Sequence, residues 1–103
     1  MSVLVEFAMF PTDKGESVSE YVSRIVAMFQ KKEVDYQLTP MGTIFETASM
    51  REALELIEAA YACLASDCNR VYATAKFDIR QGSSHRMRGK IVSIEKRIGK
   101  VRT

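Results

Sequence analysis

Apolar side chains recur along this chain with two different periods. From Val3 to Phe10 the period is two, with Val3, Val5, Phe7 and Met9 on one side of an extended segment and Leu4, Glu6, Ala8 and Phe10 on the other. Both sides carry apolar groups, so the pattern predicts a strand covered on both faces. Pro11-Thr12-Asp13-Lys14-Gly15 has loop chemistry. Val18, Tyr21, Val22, Ile25 and Phe29 then recur at helical spacing. Ser17, with Glu20 three positions later, reads as a capping box at the start of that helix. Lys31-Lys32 marks its end, where cations suit the negative pole of the helix.

Tyr36 to Glu46 predicts two short strands broken at Pro40, since proline cannot donate to a sheet ladder. Its polar residues are mostly uncharged hydroxyls and amides on a segment that ought to be largely buried. A buried hydroxyl left unpaired costs about 1–3 kcal/mol, so these groups need partners in the protein or in a small polar ligand. Ser49, three residues before Glu52, predicts a second helix start. Leu54, Ile57, Tyr61 and Leu64 form the apolar stripe of that helix, widened by Ala53, Leu56, Ala60 and Cys63, and it ends around Ser66-Asp67. Val71 to Arg80 is the cleanest alternation in the chain, with Val71, Ala73, Ala75, Phe77 and Ile79 apolar and Tyr72, Thr74, Lys76, Asp78 and Arg80 polar. After the Gln81-Gly82-Ser83-Ser84 loop, Ile91, Ile94, Ile98 and Val101 predict a third, shorter amphipathic helix.

The order strand, helix, strand, strand, helix, strand predicts an α+β, ferredoxin-like βαββαβ fold. Four antiparallel strands carry two helices on one face, with an added C-terminal helix, in a single domain over residues 1–103. The helices are expected to cover the Val3/Val5/Phe7/Met9 side of the first strand and the apolar side of the last. The other side would carry Glu6, Ala8, Phe10, Thr74, Lys76 and Asp78, with either the Thr43/Phe45 or the Ile44/Glu46 pair. A lone subunit would leave Leu4 and Phe10 bare there, which predicts packing of this face on another copy.

Composition narrows the function. The chain is 47% apolar and 27% charged, ordinary for a globular domain, with no apolar run near the ~20 residues of a membrane span and no signal-peptide pattern. A cytoplasmic protein without membrane contact is therefore expected. Cys63 and Cys68 lie five positions apart near a helix end, the lone histidine is His85, and no CxxC occurs, so the cysteines read as packing residues and no metal site is expected. From Arg80 onward Arg80, Arg86, Arg88, Lys90, Lys96, Arg97, Lys100 and Arg102 face a single acid, Glu95. With no aromatic in that segment, a solvated helix face or a subunit contact explains it better than nucleic acid.

Ser17-Val18-Ser19 with Tyr21-Val22, then Tyr36-Gln37-Leu38-Thr39-Pro40-Met41-Gly42-Thr43 with Glu46, then Lys76, Asp78 and Arg80, and Gly89-Lys90 with Val92-Ser93 and Glu95, resemble the small cytoplasmic thiamine-binding protein family. The resemblance runs from Val5 to about Ile98, and Leu-Thr-Pro-Met-Gly-Thr is its most specific part. Ile79, Thr47 and the longer Pro11–Gly15 loop depart from the pattern of relatives. The resemblance implies ferredoxin-like subunits that pair through their sheets into homodimers and assemble into homotetramers. It also implies binding of thiamine or its hydroxymethylpyrimidine half, without catalysis and without a cofactor, in salvage, storage or delivery. The alternative is a ligand-sensing regulatory subunit that contacts a partner enzyme or transporter.

An aminopyrimidine is flat and needs stacking walls plus a few fixed polar groups. The candidates are Thr43 as a donor and acceptor, Ser17 or Ser19 at a helix start, Glu6, Glu46 or Asp78 for the amine, and Phe7, Tyr36, Met41 and Phe45 as walls. Each also has a plain structural role to fill. Ser17 can be a helix cap, the aromatics can be core, and Glu6 with Lys76 can be a cross-strand ion pair. Catalysis is not expected, because no nucleophile–base pairing is visible.

Overall fold

The computed structural model describes residues 1–103. The elements run β1 (Ser2–Pro11), α1 (Ser19–Lys31), β2 (Asp35–Thr39), β3 (Gly42–Thr47), α2 (Met50–Ala62), β4 (Val71–Arg80) and α3 (Arg86–Ile98). One antiparallel sheet has the order β2-β3-β1-β4, the ferredoxin-like arrangement that the alternation predicts. Val5 stands opposite both Phe45 and Phe77, and Leu4 opposite both Glu46 and Asp78. Odd-numbered β1 residues therefore share a face with Thr43 and Phe45, and even-numbered ones with Ile44 and Glu46.

The odd face is the core. Val3, Val5, Phe7 and Met9 pack with Phe45 of β3, Ile25 and Phe29 of α1, Ala53 and Ala60 of α2, and Leu64 and Cys68 beyond it. Phe29 is the hub of its aromatic part, with ring centroids 5.4 Å from Phe45, 6.1 Å from Tyr36 and 6.3 Å from Phe7. Ser49 caps α2 by accepting the Glu52 amide at 3.1 Å, and the Glu52 carboxylate accepts the Ala48 amide, completing the predicted start. Arg24 makes a two-pronged pair with Asp67, at 2.8 and 2.9 Å, and holds the Asp67 carboxyl down at about 2.

Four sequence-based expectations are corrected. Ser17 caps nothing: α1 begins at Ser19 after Val18, which is half-buried, so Ser17 sits one position too early and stays exposed. In α2 the buried residues are Ala53 and Ala60, continued by Leu64 just beyond the helix, while Leu54 and Tyr61 point outward. The small alanines face the sheet, and Leu56 and Ile57 pack half-buried beside them; regular helix also stops at Ala62, short of Ser66. The apolar side of β4 is not covered, because α1 and α2 lie over β1 and β3 and β4 is the edge strand beyond them; Phe77 and Ile79 remain 37% and 49% exposed. Finally, α3 is as long as the other helices, 13 residues.

The start of α3 is fastened to the even face by buried polar groups. Glu46 accepts the Arg86 amide at 2.9 Å and the Met87 amide at 3.0 Å, serving as the cap that His85 does not provide. It also accepts the Ser2 hydroxyl. The Arg86 guanidinium, only 6% exposed, donates to the Ser2 hydroxyl and carbonyl at 3.1 Å each and to the Asp78 carbonyl, and pairs with the Asp78 carboxylate at 2.9 Å. Lys90 adds a second cation to Asp78 at 3.0 Å.

Burial pushes the Glu46 carboxyl up, but the Ser2 hydroxyl and the Met87 and Arg86 amides outweigh it and leave it below its ordinary value of 4.5. A carboxylate lowered by folding adds stability that is present above its unfolded value and lost as pH falls through its folded one. Glu46→Gln should therefore cost about 1–2 kcal/mol in urea unfolding at neutral pH, and the gap to the unmodified protein should close between about pH 5 and pH 3.

Candidate functional site

The strands of the sheet are unequal. β1 pairs with β4 along ten positions, from Ser2↔Arg80 to Pro11↔Val71, but with β3 only from Val3↔Thr47 to Phe7↔Thr43. Past Phe7 the β3 side of β1 has no strand beside it, because the chain turns back through Pro40-Met41. Thr39 makes that turn tight: its hydroxyl accepts the Met41 and Gly42 amides at 3.3 and 3.1 Å and donates to the Gly42 carbonyl at 2.8 Å. Gly42 allows the close approach, since a Cβ there would fall 2.9 Å from the Phe7 carbonyl oxygen.

That contact also fixes which way the β1 backbone points. The Phe7 carbonyl faces β3, whereas the Thr12 amide donates to Arg70 on the β4 side at 2.9 Å. Odd-numbered β1 residues therefore direct N–H and C=O toward β3, and even-numbered ones toward β4. Met9 is odd and lies beyond the last β3 pairing, so its N–H and C=O face the gap, and no turn or loop group bonds to either.

A cavity of about 250 Å³ occupies this gap, between the end of β1, the β2–β3 turn and the first turns of α1. Thirteen residues line it, and none is charged. Phe7, Val22 and Ile25 form inner walls; Leu38 and Met41, the latter 90% exposed, stand at the mouth. Thr43 is only 5% exposed, and its hydroxyl makes no hydrogen bond within the chain. No side-chain polar atom is both sealed off and unpartnered, so this hydroxyl opens on the cavity. A larger hollow, of about 580 Å³, lies at the opposite end of the sheet beside Glu33, Asp35, Glu52 and Glu55. The buried polar groups that reach it, Ser2 and Glu46, are already spent on α3.

Of the predicted site residues, the cavity brings together Thr43, Phe7 and Met41. Ser17 and Ser19 are exposed and outside its lining; Val18 and Val22 take that place, and Ser19 accepts the Ser23 hydroxyl through its carbonyl. Tyr36 and Phe45 lie on the same side of the sheet but pack around Phe29, and the Tyr36 hydroxyl accepts from Gln30 at 2.9 Å. Glu6 and Asp78 are on the opposite face. Glu6 pairs with Lys76 at 3.5 Å, and the Lys90 ammonium and Arg86 guanidinium hold the Asp78 carboxyl low. Leu38, Val22 and the Met9 backbone were not foreseen. A signal for the last existed in the lengths of the runs: the first alternation extends several positions past what a strand starting at Gly42 can match.

The chain resembles proteins of known sequence and structure. It is 35% identical over 83 residues to a UPF0045 protein of Methanothermobacter thermautotrophicus, covering 80% of this chain and 84% of that one. The crystal structure of a hypothetical protein of Methanocaldococcus jannaschii superposes with a TM-score of 0.80 at 28% identity, covering 92% of this chain and 97% of that one. A candidate thiamine biosynthesis/salvage protein of Thermotoga maritima shares the fold at 18% identity, with a TM-score of 0.73 over 99% and 100% of the two chains. Residues 5–95 match the thiamine-binding protein family, and the chain belongs to that family.

Proposed function

We propose that this protein binds thiamine, or its hydroxymethylpyrimidine half, in the cavity between β1, the β2–β3 turn and α1, and releases it unchanged. The single observation that carries the reading is Thr43, a buried hydroxyl with no partner in the chain, set in an apolar cavity lined by a phenylalanine. A flat heteroaromatic with one or two hydrogen-bonding edges fits the enclosed part of such a site; a charged or strongly hydrated group does not, and has to stay at the mouth. Family membership and the role named for the Thermotoga maritima protein point to the same ligand. Among the thirteen lining side chains there is no carboxylate, imidazole, thiol or amine to act as acid, base or nucleophile, which favours binding in salvage, storage or delivery over catalysis. The thiazolium, permanently cationic, would sit at the mouth beside Leu38 and Met41, where water still reaches it. The cytoplasm is the compartment this role implies.

Calorimetric titration tests the reading. Thiamine should bind with measurable heat, and Thr43→Val should weaken it by about 1–2 kcal/mol, roughly 5- to 30-fold, because valine keeps the shape and removes the hydroxyl. No heat and no thermal shift at millimolar thiamine would end the proposal.

We further propose that the protein assembles with copies of itself through the sheet, as homodimers joined into homotetramers. The support is β4, whose residues are all exposed except for a half-buried Val71; Phe77 and Ile79 are exposed on one side, and Tyr72 on the other is 56% exposed. Long bare edge strands are a liability that proteins ordinarily cover. Sedimentation at micromolar concentration should give about four times the 11.6 kDa chain mass, falling on Phe77→Lys; a monomeric mass for the unmodified protein would refute this.

A further inference from the structure

We infer that the Met9 backbone reads the ligand's edge, its N–H donating to a ring nitrogen and its C=O accepting from the neighbouring exocyclic amine, so that the bound heterocycle takes the place of the missing β3 residue. The inference deepens the binding reading above and rests on it. It starts from the ladder: Phe7 is the last β1 residue paired with β3, and the next residue pointing the same way, Met9, faces the cavity with both polar groups unmatched. Backbone donors and acceptors in an apolar enclosure require partners, and leaving them unmade is costly. The turn does not supply them: no turn group bonds to Met9, Pro40 has no N–H, and the Met41 amide is held by the Thr39 hydroxyl at 3.3 Å.

An extended residue presents its N–H and C=O side by side, facing the same way, and these two groups are complementary to an acceptor nitrogen next to an amine on a six-membered ring. Aminopyrimidines carry that edge. Their oxo counterparts reverse it, placing an N–H where the acceptor was and a carbonyl where the amine was. The groups on Met9 belong to the backbone of β1, which β4 holds from the other side as far as Pro11, so they can neither rotate nor change protonation to suit the reversed pattern. A peptide strand is a poorer occupant. It would continue along β1, and the next residue facing the gap, Pro11, has no N–H to offer.

The test is a calorimetric series on the full chain with thiamine, with pyrithiamine, which keeps the aminopyrimidine and replaces the thiazolium by a pyridinium, and with oxythiamine, which carries the oxo group. Pyrithiamine should bind within a few-fold of thiamine, and oxythiamine should be weaker by on the order of a hundredfold. The Met9 amide resonance in a ¹H–¹⁵N spectrum should shift and its hydrogen exchange should slow when thiamine saturates the protein. Equal affinity for oxythiamine, or a Met9 amide unmoved while thiamine binds, overturns the inference and leaves the binding function standing. Absence of heat with all three compounds removes both.

Discussion

The site exists because β1 is longer than the strand beside it. A central strand of a sheet normally spends its backbone groups on two neighbours, and β1 does so from Val3 to Phe7. From there β4 alone continues. The shortness of β3 is imposed by local chemistry. Thr39 folds its hydroxyl over two amides of the turn, Pro40 cannot join a ladder, and Gly42 sits so close to the Phe7 carbonyl that no side chain fits. The result is a gap in the sheet, roofed by the first turns of α1. It is a cavity whose polar lining includes backbone, and whose rigidity comes from the ladder on its far side.

The two ends of the sheet are used in opposite ways. At the Ser2 end, charged groups converge and satisfy one another. The Arg86 guanidinium is buried among Ser2 and Asp78, and Glu46 caps α3 with two backbone amides. A buried guanidinium is tolerated when its donors all find acceptors, and here most of them do. The buried polar groups of that end, Ser2, Glu46 and Arg86, are spent on one another and on α3. At the other end the lining is uncharged, and Thr43 and Met9 keep unspent hydrogen-bonding capacity. Ionic groups fasten the C-terminal helix; neutral groups form the pocket.

The βαββαβ order was legible because its signals are periodic. Alternation marked β1 and β4, the Ser49–Glu52 box marked α2, and Pro40 marked the break between β2 and β3. Which side of β3 faced the helices was not legible, since Thr43/Phe45 and Ile44/Glu46 are both mixed pairs; the register with β1 decides it. Thr43, Phe7 and Met41 were found as candidates from residue type and position. Asp78 and Glu46 have the right chemistry for an amine, yet cations and amides far away in sequence claim them, and Arg86 gives no hint of burial when read among eight basic residues. The Met9 contribution is a backbone one, so no side-chain pattern could carry it. Comparison of run lengths was the only trace.

Edge strand and cavity are also linked to one another. Beyond Phe7 the position of β1 depends on β4, through the pairs Ala8↔Thr74, Met9↔Ala73 and Phe10↔Tyr72, helped by the Thr12 amide on Arg70 and by the Asp13 carboxylate on the Asn69 amide. β4 itself has no strand on its outer edge, and helix side chains reach it only near its ends, Arg86 and Lys90 at Asp78 and the core at Val71. A strand with one neighbour and mostly exposed side chains is among the first parts of a domain to open. The wall that presents Met9 therefore inherits the stability of β4, and a second subunit laid along β4 would stiffen the pocket without touching the ligand. Affinity and assembly would then be coupled through backbone order, so that each subunit added lowers the entropy still to be lost when the cavity fills.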